Sequence, residues 1–140
     1  METQLKRNQQ MKRGQLAKIT GVTLETVRYY EQRGLIPEPR RTGSGYRMYS
    51  EDYITRIRFI KRAQDLGFTL KEILELLSLS LAPDSDRADV KRQVNEKIRD
   101  IELKMVDLQR IKTALDELVS CCSGRGSTHE CPILEFMEAQ

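Results

Sequence analysis

The sequence predicts a mainly α-helical chain in two parts. The first is a set of short helices with a small β-hairpin, and the second is one long helix that ends in a loop and a short helix. Three observations predict this. Apolar residues recur at helical intervals along most of the chain. Gly and Pro gather in a few breaks, above all in "GLIPEPRRTGSG". The stretch from about Asp86 to Ser120 contains neither.

The elements follow in order. Residues 1–10, "METQLKRNQQ", are polar and basic, and are expected to form a disordered extension; Met11 is a candidate alternative start. No apolar stretch follows them, so a secretory signal is not expected. In "KRGQLAKITGVTLETVRYYEQRGLI", Leu16, Ile19 and Val22 are spaced by three, and Val27 and Tyr30 continue at helical intervals. Gly21 separates two short helices. Thr23 is suited to cap the second, with Thr26 where a full capping box would place Glu or Gln. Gly34 stands where a C′ residue would end it. Two short helices joined by a tight turn make a helix-turn-helix. "IPEPRRTGSGYRMYS" then reads as a β-hairpin, or wing, with its tip at Gly43 to Gly45.

"EDYITRIRFIKRAQDLG" is an amphipathic helix capped by Ser50, with Ile54, Ile57, Phe59, Ile60, Ala63 and Leu66 on one side and Gly67 at its end. "TLKEILELLSLSL" carries a full capping box, Thr69 with Glu72. "APDSD" breaks the chain. Beyond it, Val94, Ile98, Ile101, Met105, Leu108, Leu115 and Val119 fit a near-heptad repeat, with Lys112 in the remaining seam position. A helix of roughly 50 Å with so narrow a stripe pairs with a second helix as a coiled coil, and the preceding domain is too small to cover it. A homodimer is therefore expected. The domains are expected at 1–10 (extension), 11–82 (winged helix-turn-helix and connector helices), 86–120 (dimerisation helix) and 121–140 (loop and short helix).

Charge divides the chain in the same way. Up to Arg62 there are fourteen Lys/Arg against six Asp/Glu, a balance of +8; from Ala63 onward ten stand against fifteen, a balance of −5. A basic first half points to a polyanion. No run of eighteen apolar residues exists, so no membrane partner is expected, and the expected location is cytoplasmic. There, clustered cysteines are more often metal-binding or redox-active than disulfide-bonded. An enzyme is not expected: the chain shows no nucleophile–base pair and no phosphate-cradling glycine loop.

The second short helix presents Thr23, Glu25, Thr26, Arg28 and Tyr29 at or near its exposed side. Such a helix suits the DNA major groove, where Arg reads guanine edges or clamps phosphates and Thr and Tyr bond phosphate oxygens. Arg40, Arg41, Tyr46 and Arg47 on the wing, with Lys61 and Arg62 on the next helix, extend the basic surface.

The segments "VRYYEQRGLI", "GYRMYS" and "FIKRAQDLGFTLKEI" closely resemble the N-terminal domain of the MerR family of transcriptional regulators, and the resemblance runs from about Met11 to the C-terminus. It implies a winged helix-turn-helix homodimer with a long antiparallel coiled-coil helix. The dimer would bind a promoter palindrome between the −35 and −10 elements and act with RNA polymerase at the promoter. The apo form would hold the promoter repressed, and effector binding would bend and untwist the DNA into an active alignment. By the family pattern, Arg28, Tyr29, Arg41, Tyr46 and Arg47 are carried over as DNA contacts.

All three cysteines and the one histidine lie in "SCCSGRGSTHECPI". In metal-sensing members the dimer helix ends in a loop with two cysteines before a short helix, and Cys122 and Cys131 stand in those places. Pro132 suits the first turn of that helix. Sulfur ligands select soft ions. Related divalent sensors add a cysteine from the start of the partner's helix, and monovalent sensors have serine there; here the position reads Arg87. Two readings follow. Cys122 and Cys131 alone would take a linear ion, Cu(I), Ag(I), Au(I) or Hg(II), with Arg87 of the other subunit offsetting thiolate charge. Alternatively Cys121 and His129 complete a three- or four-ligand site for Zn(II), Cd(II) or Pb(II). The divalent class is slightly favoured. A thiol redox regulator of the same fold and a cytosolic metal-sequestering protein are the competing functions.

Overall fold

The computed structural model describes residues 10–39, 41, 43, 45 and 47–140. The expected N-terminal extension, apart from its last residue, lies outside them, as do Arg40 and Tyr46 of the wing. Six α-helices follow one another among the described residues: α1 (Arg13–Thr20), α2 (Leu24–Gln32), α3 (Glu51–Asp65), α4 (Leu70–Leu81), α5 (Arg87–Ser120) and α6 (Pro132–Glu138), with a 3₁₀ turn at Thr128–Glu130 before the last. The chain divides into two compact units, Met1–Val90 and Lys91–Gln140. The division falls inside α5.

In the first unit, α1 packs on α2 and α3, and α4 packs on α3. Gly21 makes the turn between α1 and α2 possible, because its φ of 73° is open to glycine and costly for other residues. Thr23 caps α2: its Oγ1 accepts the Thr26 backbone N–H at 3.1 Å. Thr26 does not complete a capping box but shares a hydroxyl–hydroxyl hydrogen bond of 2.8 Å with Thr23. Gly34 ends α2 with φ 76°, as expected. At α4, Thr69 and Glu72 form the full capping box.

The core is built on Leu16, Val27, Tyr49, Ile57, Ile60 and Ile73, each fully buried. Burying side chains of this size stabilises by about 1.5–3 kcal/mol each. Two expectations for α3 are corrected. Ser50 stands at the N-cap but makes no side-chain capping hydrogen bond. Phe59 and Leu66 do not join the buried side; they are 38% and 63% exposed.

The wing is smaller than a regular hairpin. Among the described residues it holds a single antiparallel bridge, Arg41 with Arg47, and Met11 bridges Tyr49 at its base. Pro37 and Pro39 lack the backbone N–H that a longer ladder would need.

α5, which begins at the end of the first unit and makes up most of the second, is one unbroken helix of 34 residues. Its heptad residues are open to solvent in the single chain: Val94 and Ile101 are 39% and 40% exposed, and Met105 and Leu108 are 62% and 64% exposed. Lys112, in the seam, pairs with Asp116 one turn on, at 2.7 Å.

Candidate nucleic-acid interface and effector loop

The exposed side of α2 is a shallow hollow of about 460 Å³ lined by Thr23, Glu25, Thr26, Arg28, Tyr29 and Gln32. The structure thus gathers every expected contact of this helix on one face. Thr23 and Thr26 spend one hydroxyl hydrogen on each other, which leaves one to donate outward. Tyr29 is held in place by Arg33, whose Nε donates to the Tyr29 hydroxyl at 3.3 Å and whose guanidinium lies 5.5 Å from the ring centroid. Arg28 is exposed. Arg41 is exposed beside the wing tip, and Tyr46 lies outside the described residues.

Lys61 has a structural partner. Its Nζ donates to the Thr20 carbonyl at 3.1 Å, at the C-terminal end of α1. A cation there satisfies a carbonyl that the helix leaves open and complements the helix dipole.

Arg47 is the most engaged of the expected contacts. Its Nη1 donates to Glu31 Oε2 at 3.0 Å, and its Nη2 pairs with Glu38 Oε1 at 2.8 Å. Glu31 is the hub of this cluster, with a side chain only 8% exposed. It also accepts from Arg13 Nη2 at 3.1 Å and from the Tyr49 hydroxyl, which itself accepts from Arg13 Nε at 2.9 Å. Burial, then the Glu31 hydrogen bond, holds the Tyr49 phenol above its ordinary pKa. Burial works against the Arg13 charge, but Tyr49 and Glu31 outweigh it and its pKa is raised. Sequence reasoning singled out neither Glu31 nor Arg13, because the partners lie 16 to 18 residues from Glu31 in sequence.

Two matches cover most of the chain. Residues 11–80 match the model of the MerR HTH family regulatory proteins, and residues 54–118 match the model described as MerR, DNA binding. The chain belongs to the MerR family. It is therefore a DNA-binding transcriptional regulator and not an enzyme. The mercuric resistance operon regulatory protein of Bacillus cereus is 48% identical over 124 residues, 89% of this chain and 94% of that one. The crystal structure of the transcription regulator PbrR691 from Ralstonia metallidurans CH34 in complex with lead(II) superposes with a TM-score of 0.83 at 35% identity, covering 91% of this chain and 98% of that one. The crystal structure of MerR from Bacillus megaterium MB1 in complex with mercury(II) gives 0.69 at 42% identity, covering 92% and 100%.

In this MerR-family chain the cysteine loop follows α5 directly. Cys121, Cys122 and Cys131 are all free thiols; Cys121 is exposed and the other two are half-buried. The Cys122 sulfur accepts the Gly124 backbone N–H at 3.4 Å, in a turn where Gly124 takes φ 75°. Ser127 Oγ accepts the His129 N–H at 3.2 Å and starts the 3₁₀ turn, and Cys131 is the N-cap of α6, with Pro132 next. Among the described residues, no three His, Cys, Asp or Glu side chains come together closely enough to hold an ion. The four-ligand set of Cys121, Cys122, His129 and Cys131 is thus not assembled within the single chain. The donor set is nevertheless soft, and its two half-buried thiols suit a thiophilic ion. Arg87 is exposed at the first turn of α5.

Proposed function

We propose that this protein is a soft-metal-responsive transcriptional regulator that binds a promoter palindrome as a homodimer. In this reading residues 11–82 hold the DNA, 86–120 form the dimer and 121–140 bind the effector. The solvent-open heptad stripe of α5 supports the dimer, since a helix exposing such a stripe gains its stability from a partner. Arg28 and Tyr29 on α2, with Arg41, Tyr46 and Arg47 on the wing, make the DNA contacts, aided by Thr23 and Thr26. The effector is a divalent thiophilic ion held by Cys122 and Cys131. Mercury(II) suits this pair because two thiolates satisfy it in line, without the cysteine that Arg87 replaces. Bound metal shifts the dimer towards a form that bends and untwists the promoter, so that RNA polymerase engages both of its elements.

The observation that carries this reading is the free-thiol loop at the end of α5, with a backbone N–H already directed at Cys122. The test is run-off transcription from a promoter carrying an operator selected with the protein itself. Mercury(II), lead(II), zinc(II), cadmium(II), copper(I) and peroxide are compared. Mercury(II) is expected to activate the native protein but neither Cys122→Ser nor Cys131→Ser. A metal response that survives both substitutions refutes the ligand assignment, and activation by peroxide alone refutes metal sensing.

A further inference from the structure

Arg47 is held by two carboxylates that differ in kind. Glu31 is buried and accepts hydrogen bonds from two arginines and a tyrosine. It orients Arg47 and Arg13 side by side. Glu38 is 65% exposed and touches only the outer nitrogen, Nη2, at 2.8 Å. The two glutamates, Arg13, Arg28, Gln32 and Arg47 surround a hollow of about 360 Å³. Arg28, on its rim, has no hydrogen-bond or ion-pair partner among the described residues. The hollow thus holds three cations, one buried anion and one anion that is free to leave. Glu38 lies between Pro37 and Pro39, whose fixed φ angles restrain the backbone that delivers its carboxylate.

We propose that the Glu38 carboxylate stands on Arg47 in place of a DNA backbone phosphate, and that DNA seats a phosphate in this hollow by displacing it. Carboxylate and phosphate oxygens both accept from a guanidinium N–H, so Arg47 Nη2 exchanges one anion for the other with its charge-assisted hydrogen bond conserved. Glu38 then returns to water, which costs little because it is already exposed. Glu31 stays in place as a positioning residue: it fixes the Arg47 fork without touching DNA. Glu38 therefore sets an upper limit on affinity and favours release. This inference rests on the reading of the α2 and wing face as the DNA surface.

The test uses the full-length protein and a 30-base-pair duplex of random sequence, because phosphate contacts do not depend on sequence. Binding is followed by fluorescence anisotropy across a series of salt concentrations. The native protein should bind in a salt-dependent manner; if it does not, the DNA-surface reading itself fails. Glu38→Gln should tighten binding roughly two- to fivefold, the range an exposed ion pair spans. Arg47→Gln should weaken binding and lower the salt slope by about one. In the Arg47→Gln background, Glu38→Gln should have no further effect. An equal gain in both backgrounds marks general charge repulsion and overturns the proposal, as does an unchanged affinity in the single variant or an unchanged salt slope in Arg47→Gln.

Discussion

Replacing Glu31 by Gln tests whether the buried carboxylate organises the DNA-binding unit. The substitution keeps size and one acceptor but removes the charge that Arg13, Arg47 and Tyr49 share. Breaking a fully buried ion pair costs about 3–5 kcal/mol, because the abandoned charge stays out of water. Here the abandoned charges are partly wet: the Arg13 and Arg47 side chains are 19% and 30% exposed. Both guanidiniums recover some hydration, so the loss falls to about 2 kcal/mol. For a unit of this size each kcal/mol moves the melting temperature by about 4–8 °C, giving a drop of roughly 10 °C. The assay is thermal unfolding followed by circular dichroism at fixed protein concentration, since a dimer's transition depends on it. Glu31→Gln, Arg47→Gln and the double variant complete a cycle. The double variant should be more stable than the sum of the two losses implies. A loss under about 0.5 kcal/mol, or strict additivity, refutes the view of Glu31 as the hub.

Lys61→Met removes the hydrogen bond to the Thr20 carbonyl and should cost about 1–2 kcal/mol in denaturant unfolding, with the salt slope of DNA binding unchanged; a slope lowered by about one would put Lys61 on a phosphate instead. Burial first, and nearby negative charge second, raises the pKa values of Tyr30 and Tyr53, and burial followed by the Glu31 hydrogen bond raises that of Tyr49. A raised pKa means the fold prefers the neutral phenol, so this stabilisation is intact below about pH 10 and is lost as pH rises through the folded-state values. Phenolate absorbance and helix content should therefore change together on the alkaline side; early ionisation of these phenols in a fully helical protein would contradict it. Leu108→Glu, in the open stripe of α5, should turn the dimer into monomers in sedimentation velocity, and an unaltered dimer would move the interface elsewhere.

What was legible in the sequence was what short-range chemistry decides. Thr23, Gly34 and Thr69 mark their helix ends because a cap and the groups it satisfies lie within a few residues. The heptads of α5 were legible for the same reason. The α3 face was read too broadly: at about 100° per residue, Phe59 and Leu66 stand roughly 100° and 120° from Ile60, off the buried side. In sequence, an apolar residue beside a stripe looks the same as one within it. The loop was legible as a cluster, because the sequence alone puts three cysteines and a histidine within a few turns of chain. Which of them meet was not legible, because that depends on how the loop closes. Charge partners were the least legible. In the sequence, Arg41, Arg47 and Lys61 look alike as parts of one basic surface facing a polyanion. In the fold, Arg47 is shared by two glutamates and Lys61 caps a helix, and of these three Arg41 alone stays exposed. A count of positive residues therefore overstates the charge that DNA meets. In the proposed reading the face acts through exposed cations such as Arg28 and Arg41 and through Arg47 once its exposed partner leaves: Glu38, 65% exposed, can give way to phosphate, and Glu31, 8% exposed, cannot.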